Sequence, residues 1–306
     1  MSLAAILCLA LILDAVAGEP EWLWSRLPHP AVLMGRAVTI CESRLNQGRQ
    51  RILRGGLALA LLVLLALTAG SAIAWLGPWA EVLGAAILLA QRSLCDHVSA
   101  VAAALRHSTE AARIAVARIV GRDTAGLDDA AISRAAIESA AENFSDGVVA
   151  PAFWFLIGGL PGLAAYKMVN TADSMIGYRT PRYEAFGKLA ARTDDLMNLI
   201  PARLSALLIA LLTGGLRQWP AIRAEARRHR SPNAGWPEAA MARAVDTALS
   251  GPRAYDGQMR DYAFVHPDGT HSPGPGQIEA AVQVLWRVWA AILIAATLAA
   301  LLVVVI

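Results

Sequence analysis

The chain has few charged residues and few cysteines for its length. Only 17% of its 306 residues are charged, whereas 56% are hydrophobic, and it contains three cysteines. Ordinary soluble domains carry more charge and fewer apolar residues, so the composition predicts an integral membrane protein. Cys8, Cys41 and Cys95 show no CxxC spacing, which argues against a disulfide framework or a cysteine-ligated metal site.

The sequence also lacks the common nucleotide-binding and hydrolase motifs. It contains no GxxxxGK[ST] or GxGxxG loop and no HExxH or GxSxG motif, which excludes the familiar folds that carry these signatures. It has no basic patch interleaved with stacking aromatics. The net charge of +3 is therefore attributed to membrane topology, and nucleic acid is not expected as a partner.

Long apolar segments are present instead. Residues 55–76 are predicted to form a transmembrane helix, since about 20 apolar residues span the hydrocarbon core, and the arginines before them predict a cytoplasmic flank. The fold class is predicted to be an all-α integral membrane protein, a polytopic helical bundle with broken or re-entrant helices and a cytoplasmic helical layer at about 96–146. Residues 1–306 are expected to form a single membrane-embedded domain with membrane segments at about 3–17, 55–76, 79–95, 147–169, 199–216 and 284–306.

One of these apolar segments is broken. Pro151 and the GGLPG stretch at 158–162 interrupt residues 147–169, so this segment forms either one kinked spanning helix or a re-entrant pair of half-helices. Broken helices at membrane depth often mark binding sites. Basic residues on both sides of the next apolar segment, 199–216, favour the cytoplasm, so one more segment has to dip or lie flat.

Three sets of acidic and amide side chains flank these apolar segments. The first holds Glu138, Glu142, Asn143 and Asp146; the second holds Lys167, Asn170, Asp173, Ser174, Tyr178 and Arg179; the third holds Asp194, Asp195, Asn198 and Arg203. Glu138 and Glu142 alone fit a solvated helix face, because residues four apart share one face. Three sets beside lipid are costly, which favours a functional site.

The residue types in these sets suit a site for Mg²⁺ and a polyphosphate. Carboxylates hold the metal ion, and Lys or Arg neutralises phosphate charge. Arg230 and Asn233 either add phosphate or carboxylate contacts or belong to a turn after a basic topology signal.

Several motifs resemble the CobD/CbiB family of cobalamin biosynthesis. They are ESAAENFSDGVVAP, NTADSMIGYR, DDLMNLIPARL and HRSPNAGWPEAAMA, and the N-terminal LDAVAGEPEWLW also resembles the opening of that family, with Glu19-Pro20 where Asp-Pro is commoner. The resemblance implies an adenosylcobinamide-phosphate synthase. Such an enzyme joins aminopropanol, or its phosphate, to the f-propionate of adenosylcobyric acid through an amide, with ATP and Mg²⁺ as cofactors.

We hypothesise roles in this reaction for residues of the three acidic and amide sets and for Arg230 and Asn233. Glu138, Glu142, Asp146 and Asp173 are the catalytic candidates, which hold Mg²⁺ or orient the amine. The metal ligands are expected among Glu142, Asp146, Asp173, Asp194 and Asp195. Substrate binding is expected from Asn143, Lys167, Asn170, Ser174, Tyr178, Arg179, Asn198, Arg203, Arg230 and Asn233.

The expected setting is a multi-pass protein of the inner (cell) membrane with its active site facing the cytoplasm. Its partners would be adenosylcobyric acid and aminopropanol phosphate as substrates, the lipid bilayer, and other membrane enzymes of the pathway. The alternative is a non-catalytic membrane sensor or transporter that binds a polar or corrinoid ligand. A transporter is expected to show two matched broken halves, whereas the sequence shows one clear break.

Overall fold

The computed structural model describes residues 1–121, 123–255, 258–260 and 262–305. Arg122, in the predicted cytoplasmic layer, and Ile306, the predicted end of the last membrane segment, lie outside the described residues. The regular structure is predominantly helical, as the sequence predicts. The helices are α1 (Leu3–Ala17), α2 (Glu21–Trp24), α3 (Pro30–Leu45), α4 (Arg51–Trp75), α5 (Pro78–Leu88), α6 (Gln91–His107), α7 (Thr109–Val116), α8 (Asp129–Phe144), α9 (Ala150–Ile176), α10 (Lys188–Met197), α11 (Leu199–Leu212), α12 (Trp219–Ala226), α13 (Gly235–Ala244) and α14 (Pro275–Val305).

Among the described residues of the Gly- and Pro-rich stretch before α14, four short strands are present. They form two antiparallel pairs, β1 (Leu249–Ser250) with β4 (Phe264–Val265) and β2 (Arg253–Tyr255) with β3 (Gln258–Arg260). A π-helical turn, Ser145–Val149, joins α8 to α9, and a 3-10 turn, Gly215–Gln218, precedes α12. These additions leave the all-α class unchanged.

The chain divides into two compact units. The first unit contains residues 1–90, 146–199 and 293–306, and the second contains residues 91–145 and 200–292. The prediction of a single membrane-embedded domain stays a prediction.

In the first unit, α4 packs along α9. Small residues on α4 permit this close packing. A Cβ at Gly70 would lie 2.7 Å from the Cα of Pro161, so any larger residue there would force α4 away from the break in α9. Trp154 on α9 donates its indole N–H to the Met197 carbonyl at 3.2 Å, which ties α9 to the end of α10.

Helix α9 reverses direction at the predicted break. Gly158 and Gly159 leave the helical conformation, with φ −130° and ψ 16° at Gly158 and φ 59° and ψ −157° at Gly159. Beyond the break, the Tyr166 hydroxyl donates to the Asp146 carbonyl at 3.2 Å across a separation of 20 residues. A straight helix would hold these residues about 30 Å apart. Residues 146–176 therefore form a helical hairpin, the geometry of a re-entrant pair.

Within the part of the chain that the structure describes, three helical segments are long and apolar enough to cross a membrane. They are Arg51–Trp75, Asp129–Ile176 and Pro275–Val303, and the bent pair Lys188–Met197 with Leu199–Leu212 would make a fourth. These segments support the prediction of a membrane protein. The α9 hairpin lies inside the second of them.

The predicted membrane helix at 79–95 is divided. Helix α5 ends at Leu88, because Leu89 is extended with φ −79° and ψ 158°. The Ala90 N–H then donates to the Gly147 carbonyl at 3.1 Å, which replaces the helical hydrogen bond lost at this point. The sequence missed this interruption because the carbonyl that replaces the helical acceptor lies more than 50 positions away in the chain.

In the second unit, α8 is the central helix. It packs against α6, α7 and α13, and α12 packs against α13. Asp128 caps α8 by accepting a hydrogen bond from the Ala131 N–H at 2.7 Å. Ile132 and Ile137 on α8 are fully buried. This packing fixes the direction in which α8 presents Glu138 and Glu142.

Candidate functional site

The predicted site residues fall into two clusters, one in each unit. In the first unit, Asn170 lies between two carboxylates. Its side-chain amide nitrogen is 3.2 Å from Asp146 Oδ2 and 3.2 Å from Asp194 Oδ1. We call this set, together with its immediate neighbours, the acid–amide cluster: Asp146, Lys167, Asn170, Asp173, Asp194, Asp195 and Asn198.

The α9 hairpin and α10 build this cluster. The hairpin returns the chain to Asp146, and the helical repeat then places Lys167, Asn170 and Asp173 along one side of its second arm. On α10, the Asn198 amide donates to Asp194 Oδ2 at 3.0 Å, from four residues further along. The Tyr166 hydroxyl lies 2.9 Å from Asn198 Oδ1 and shares its one hydrogen between this oxygen and the Asp146 carbonyl, which orients the Asn198 amide.

The acid–amide cluster combines one ammonium group with several carboxylates. Lys167 is half-buried and is attracted electrostatically by Asp146 and Asp194. Asp173 is repelled by the like charges of Asp194 and Asp195. Asp194 is only 8% exposed and Asn198 only 2%. Carboxylates crowded together in this way gain from a bound cation.

Other residues predicted on these segments contribute less to the cluster. The Ser174 hydroxyl donates to the Asn170 carbonyl at 2.9 Å, within its own helix. Tyr178 is 58% exposed. Arg179 is exposed as well and attracts Asp195 electrostatically. The structure thus brings Arg179 to the edge of the cluster.

In the second unit, Glu142 meets two residues that were not among the predicted site residues. Glu142, His229 and Glu238 each offer a ligand atom, and these atoms lie within 4.8 Å of one another. His229 Nε2 is 3.5 Å from Glu238 Oε2, and Glu238 is only 1% exposed. We call these three residues the acid–histidine cluster.

A cavity of about 530 Å³ adjoins this cluster through His229. Its lining is cationic and aromatic, and among the described residues that form it none is acidic. The lining residues are Arg203, Trp219, Arg223, Ala226, Arg227, His229, Pro232 and Trp236. We call it the basic cavity.

In the basic cavity, the guanidinium of Arg203 is held by several contacts. It donates to Asn233 Oδ1 at 2.9 Å and to the Pro232 carbonyl at 3.2 Å. Its Cζ lies 4.9 Å from the centroid of the Trp236 ring, within the range of a cation–π contact. The predicted pair Arg203 and Asn233 is therefore brought together, with Asn233 in an orienting position.

Three further predicted residues lie outside both the cavity lining and the acid–histidine cluster. Glu138 is 5% exposed, and its Oε1 accepts the Ser250 N–H at 2.7 Å, which anchors β1 to α8. The Asn143 amide donates to the Ser139 carbonyl and hydroxyl, both at 2.9 Å. Arg230 is exposed and does not line the basic cavity.

Sequence reasoning missed His229, Glu238 and the arginines of α12. Glu142, His229 and Glu238 come from α8, the turn after α12 and α13, so no local spacing connects them. The one available signal was the motif HRSPNAGWPEAAMA, which begins at His229 and contains Glu238. Arg223 and Arg227 form an i, i+4 pair on α12 and its C-terminal cap. From sequence, the basic residues after 199–216 are interpreted only as a topology signal.

Comparisons with known proteins agree with the resemblance seen in the motifs. The family model for the CobD/Cbib protein matches residues 7–285. Cobalamin biosynthesis protein CobD of Brucella anthropi is 46% identical over 324 residues, covering 97% of this chain and 98% of the relative. The protein of that name from Rhizobium meliloti is 49% identical over 300 residues, covering 92% of each chain.

A third relative gives the same result. Cobalamin biosynthesis protein CobD of Rhodobacter capsulatus is 47% identical over 264 residues, covering 83% of this chain and 84% of the relative. No solved structure matches the chain. Because the family model covers most of the sequence and the relatives match over most of their own length, the chain belongs to the CobD/CbiB family of cobalamin biosynthesis proteins.

Proposed function

We propose that this chain is an adenosylcobinamide-phosphate synthase. It would join aminopropanol, or its phosphate, to the f-propionate of adenosylcobyric acid through an amide, at the expense of ATP. The observation that carries the proposal is the acid–amide cluster, in which Asn170 lies between the carboxylates of Asp146 and Asp194. Polar groups inside an apolar segment are costly, and chemistry or binding is their usual function.

The acid–amide cluster fits Mg²⁺. This ion prefers oxygen ligands and is usually held by one or two carboxylates together with phosphate oxygens of the substrate. We assign Asp146 and Asp194 as its ligands, with Asp195 as a further carboxylate at the rim. When bound, Mg²⁺ would neutralise charge that develops on the transferred phosphoryl group.

The proposed reaction has two steps, because a carboxylate is a poor electrophile. First, an oxygen of the f-propionate attacks the γ-phosphorus of ATP, the bond to ADP breaks, and an acyl phosphate forms. Next, the amine nitrogen attacks the acyl carbon, and phosphate leaves with the electron pair of the broken bond. The amine proton passes to a nearby base as the amide forms.

Residues of the first unit supply the positive charge and the base that these two steps need. Lys167 offers a positive charge beside the carboxylates, where it can meet phosphate oxygens of the substrate. We assign Asp173 as the group that accepts the amine proton. Arg179, at the edge of the cluster, would contact a phosphate or carboxylate of the substrates.

The cellular setting is also part of the proposal. We place the chain in the inner membrane as a multi-pass protein, with the acid–amide cluster facing the cytoplasm. Its helices supply segments able to cross a bilayer. ATP is a cytoplasmic substrate, and other membrane enzymes of the pathway are natural neighbours for the transfer of corrinoid intermediates.

The experiment is a reconstituted ligation assay. Purified chain in detergent receives adenosylcobyric acid, aminopropanol phosphate and Mg-ATP, and the amide product and ADP are measured by mass spectrometry. We expect Asp173→Asn and Asp194→Asn to reduce turnover by at least about a hundredfold, in the range typical of a lost acid–base or electrostatic group. The matched control is Asp96→Asn, which changes an exposed carboxylate in an i, i+4 ion pair with Arg92.

The assay also separates the enzyme from a non-catalytic sensor or transporter. Parent-like turnover in both Asp173→Asn and Asp194→Asn would contradict the assigned site. Corrinoid binding by the parent protein without amide product or ADP would favour the sensor or transporter. Aminopropanol is supplied in a parallel reaction to decide which amine the protein accepts.

A further inference from the structure

The basic cavity has the chemistry of an anion site that the proposed ligation site does not use. Arg203, Arg223 and Arg227 bring three guanidinium groups to one cavity of about 530 Å³. Guanidinium groups recognise phosphate through planar, charge-assisted hydrogen bonds. The volume is also within the range of small-molecule binding sites. An anion in the cavity would reduce the repulsion among the three groups.

Arg203 is held ready for such a ligand. Its hydrogen bonds to Asn233 Oδ1 and to the Pro232 carbonyl fix the plane of the guanidinium. The ring of Trp236 lies against the same group at 4.9 Å. A guanidinium fixed in this way loses little conformational entropy when it binds an anion.

The acid–histidine cluster lies at the same cavity because His229 belongs to both. Two carboxylates and one imidazole, with ligand atoms within 4.8 Å, form a donor set for a divalent cation. His229 Nε2 and Glu238 Oε2 are 3.5 Å apart, a separation that one ion can bridge with bonds of about 2.1 Å.

The other side of the His229 ring also suits metal binding. Nδ1 lies 3.1 Å from the Ser231 nitrogen and 3.3 Å from the Ser231 carbonyl oxygen. The Ser231 backbone can thus satisfy Nδ1 in either tautomer. When Nδ1 carries the proton and donates to the carbonyl, Nε2 is left with the lone pair that a metal ion needs.

We propose that the basic cavity and the acid–histidine cluster together form a phosphate and divalent-cation site in the second unit. Glu142, His229 and Glu238 hold the cation. Arg203, Arg223 and Arg227 hold a phosphate group that completes its coordination. All residues of this site lie in the second unit, so its binding of cation and phosphate can be tested without amide ligation. The phosphate belongs either to a nucleoside triphosphate or to a phosphate monoester, which share this chemistry.

The cation half is tested with Mn²⁺ as the probe. The full chain in detergent is titrated with Mn²⁺, and bound ion is measured by electron paramagnetic resonance. Pulsed measurements detect magnetic coupling to an imidazole nitrogen. We expect that coupling in the parent protein and in Asp194→Asn, and its loss in His229→Gln. Glu142→Gln should weaken this Mn²⁺ site by at least about tenfold.

The phosphate half is tested with pyrophosphate by calorimetry, with and without Mn²⁺. We expect Mn²⁺ to strengthen pyrophosphate binding, and Arg223→Ala with Arg227→Ala to weaken it by about tenfold or more. The matched control is Arg228→Ala, which removes a neighbouring exposed arginine that does not line the cavity. Glu238 is buried, so replacing it could disturb folding. Arg227 is exposed, so its replacement tests phosphate binding without that complication.

Competition identifies the source of the phosphate. Displacement of pyrophosphate by a non-hydrolysable ATP analogue assigns the site to a nucleoside triphosphate, and displacement by aminopropanol phosphate assigns it to the monoester. The proposal is overturned if no imidazole coupling is seen, if the double arginine variant binds pyrophosphate as well as Arg228→Ala does, or if neither compound displaces the probe. A variant that loses ligation activity but still binds Mn²⁺ and pyrophosphate would instead have its defect in the proposed ligation site.

Discussion

At the scale of single residues, Asn170 holds the acid–amide cluster together. Its one amide nitrogen carries two hydrogens and lies 3.2 Å from a carboxylate oxygen of each of two aspartates. Hydrogen bonds to charged acceptors are stronger than those between neutral groups. Asn170 therefore keeps Asp146 and Asp194 at a fixed separation, which the proposed magnesium site requires.

We expect Asn170→Ala to reduce ligation by at least about tenfold, because each lost hydrogen bond to a charged group is equivalent to about 1.5–3 kcal/mol. We expect kcat to fall and the Mg²⁺ concentration needed for half-maximal rate to rise. The control is Thr171→Ala, since the Thr171 hydroxyl donates only to the Lys167 carbonyl in its own helix, at 2.7 Å. Equal Mg²⁺ dependence in both variants would refute a role for Asn170 in holding the metal ligands.

The residues found from sequence and those missed differ in one respect. Asp146, Asn170 and Asp194 each lie at the edge of an apolar segment, where a polar side chain stands out. His229 lies in a basic turn and Glu238 in an ordinary helical stretch, so neither stands out. Their meeting with Glu142 depends on the packing of α8 against α13, which no local pattern encodes.

At the scale of elements, the turn of the α9 hairpin depends on one glycine more than on the other. Gly159 has φ 59° and ψ −157°, a conformation that residues with a Cβ rarely adopt. Gly158 has φ −130°, and a Cβ added to it would meet no atom within 4 Å. The two neighbours thus form a matched pair for testing the turn.

We expect Gly159→Ala to destabilise the protein by about 1–3 kcal/mol, the usual cost of forcing a non-glycine residue into a sparsely populated backbone region. Gly158→Ala should change stability by less than about 1 kcal/mol. Thermal unfolding in detergent, followed by circular dichroism, measures both. Equal stability of the two variants would mean that the chain does not turn at Gly159.

The sequence located the break in α9 but did not show whether the chain continues across the membrane there or turns back. GGLPG marked residues 158–162 as non-helical through local chemistry alone. Whether the chain crosses or returns is decided by hydrogen bonds across the hairpin, from Tyr166 to the Asp146 carbonyl and from Asn170 to the Asp146 carboxylate. Those bonds join residues 20 and 24 positions apart, beyond the reach of any periodic pattern.

The ion pair between Glu42 on α3 and Arg182 predicts a pH dependence. Arg182 donates to both carboxylate oxygens, at 3.0 and 2.9 Å, and these hydrogen bonds hold the pKa of Glu42 below its usual range. A lowered pKa contributes stability that is present above the unfolded pKa, about 4.3, and is lost as pH falls through the folded pKa.

Glu42→Gln should therefore unfold at a lower temperature than the parent protein at pH 7. The difference should shrink as pH falls below about 4, because the parent then loses the same interaction. Glu184→Gln, which changes an exposed carboxylate in the loop that carries Arg182, serves as the control. A difference between Glu42→Gln and the parent that stays constant down to acid pH would show that the Glu42 charge contributes no stability.

At the scale of the whole molecule, two basic loops of the first unit lie at one end of it. Arg51, at the start of α4, donates to the Pro181 carbonyl at 3.2 Å, and Asn46 donates to the Arg182 carbonyl at 3.1 Å. Because these contacts join the two loops, we expect both loops to lie on the same side of the membrane. The sequence alone showed only that each loop is positively charged. It did not assign both loops to one side, because the number of membrane crossings depends on whether the α9 hairpin crosses or turns back.

Cysteine labelling tests this arrangement, and we expect Arg49→Cys and Glu184→Cys to react with a membrane-impermeant maleimide only from the cytoplasmic side. Both positions are exposed and belong to the two basic loops. Leu76→Cys should react only from the opposite side, because the 25 residues of α4 extend about 37 Å, more than the hydrocarbon thickness of about 30 Å. Cys8, Cys41 and Cys95 are first replaced by alanine. If Arg49→Cys and Glu184→Cys reacted from opposite sides, the contacts of Arg51 with the second loop could not exist in the bilayer, and the arrangement of the two loops would be wrong.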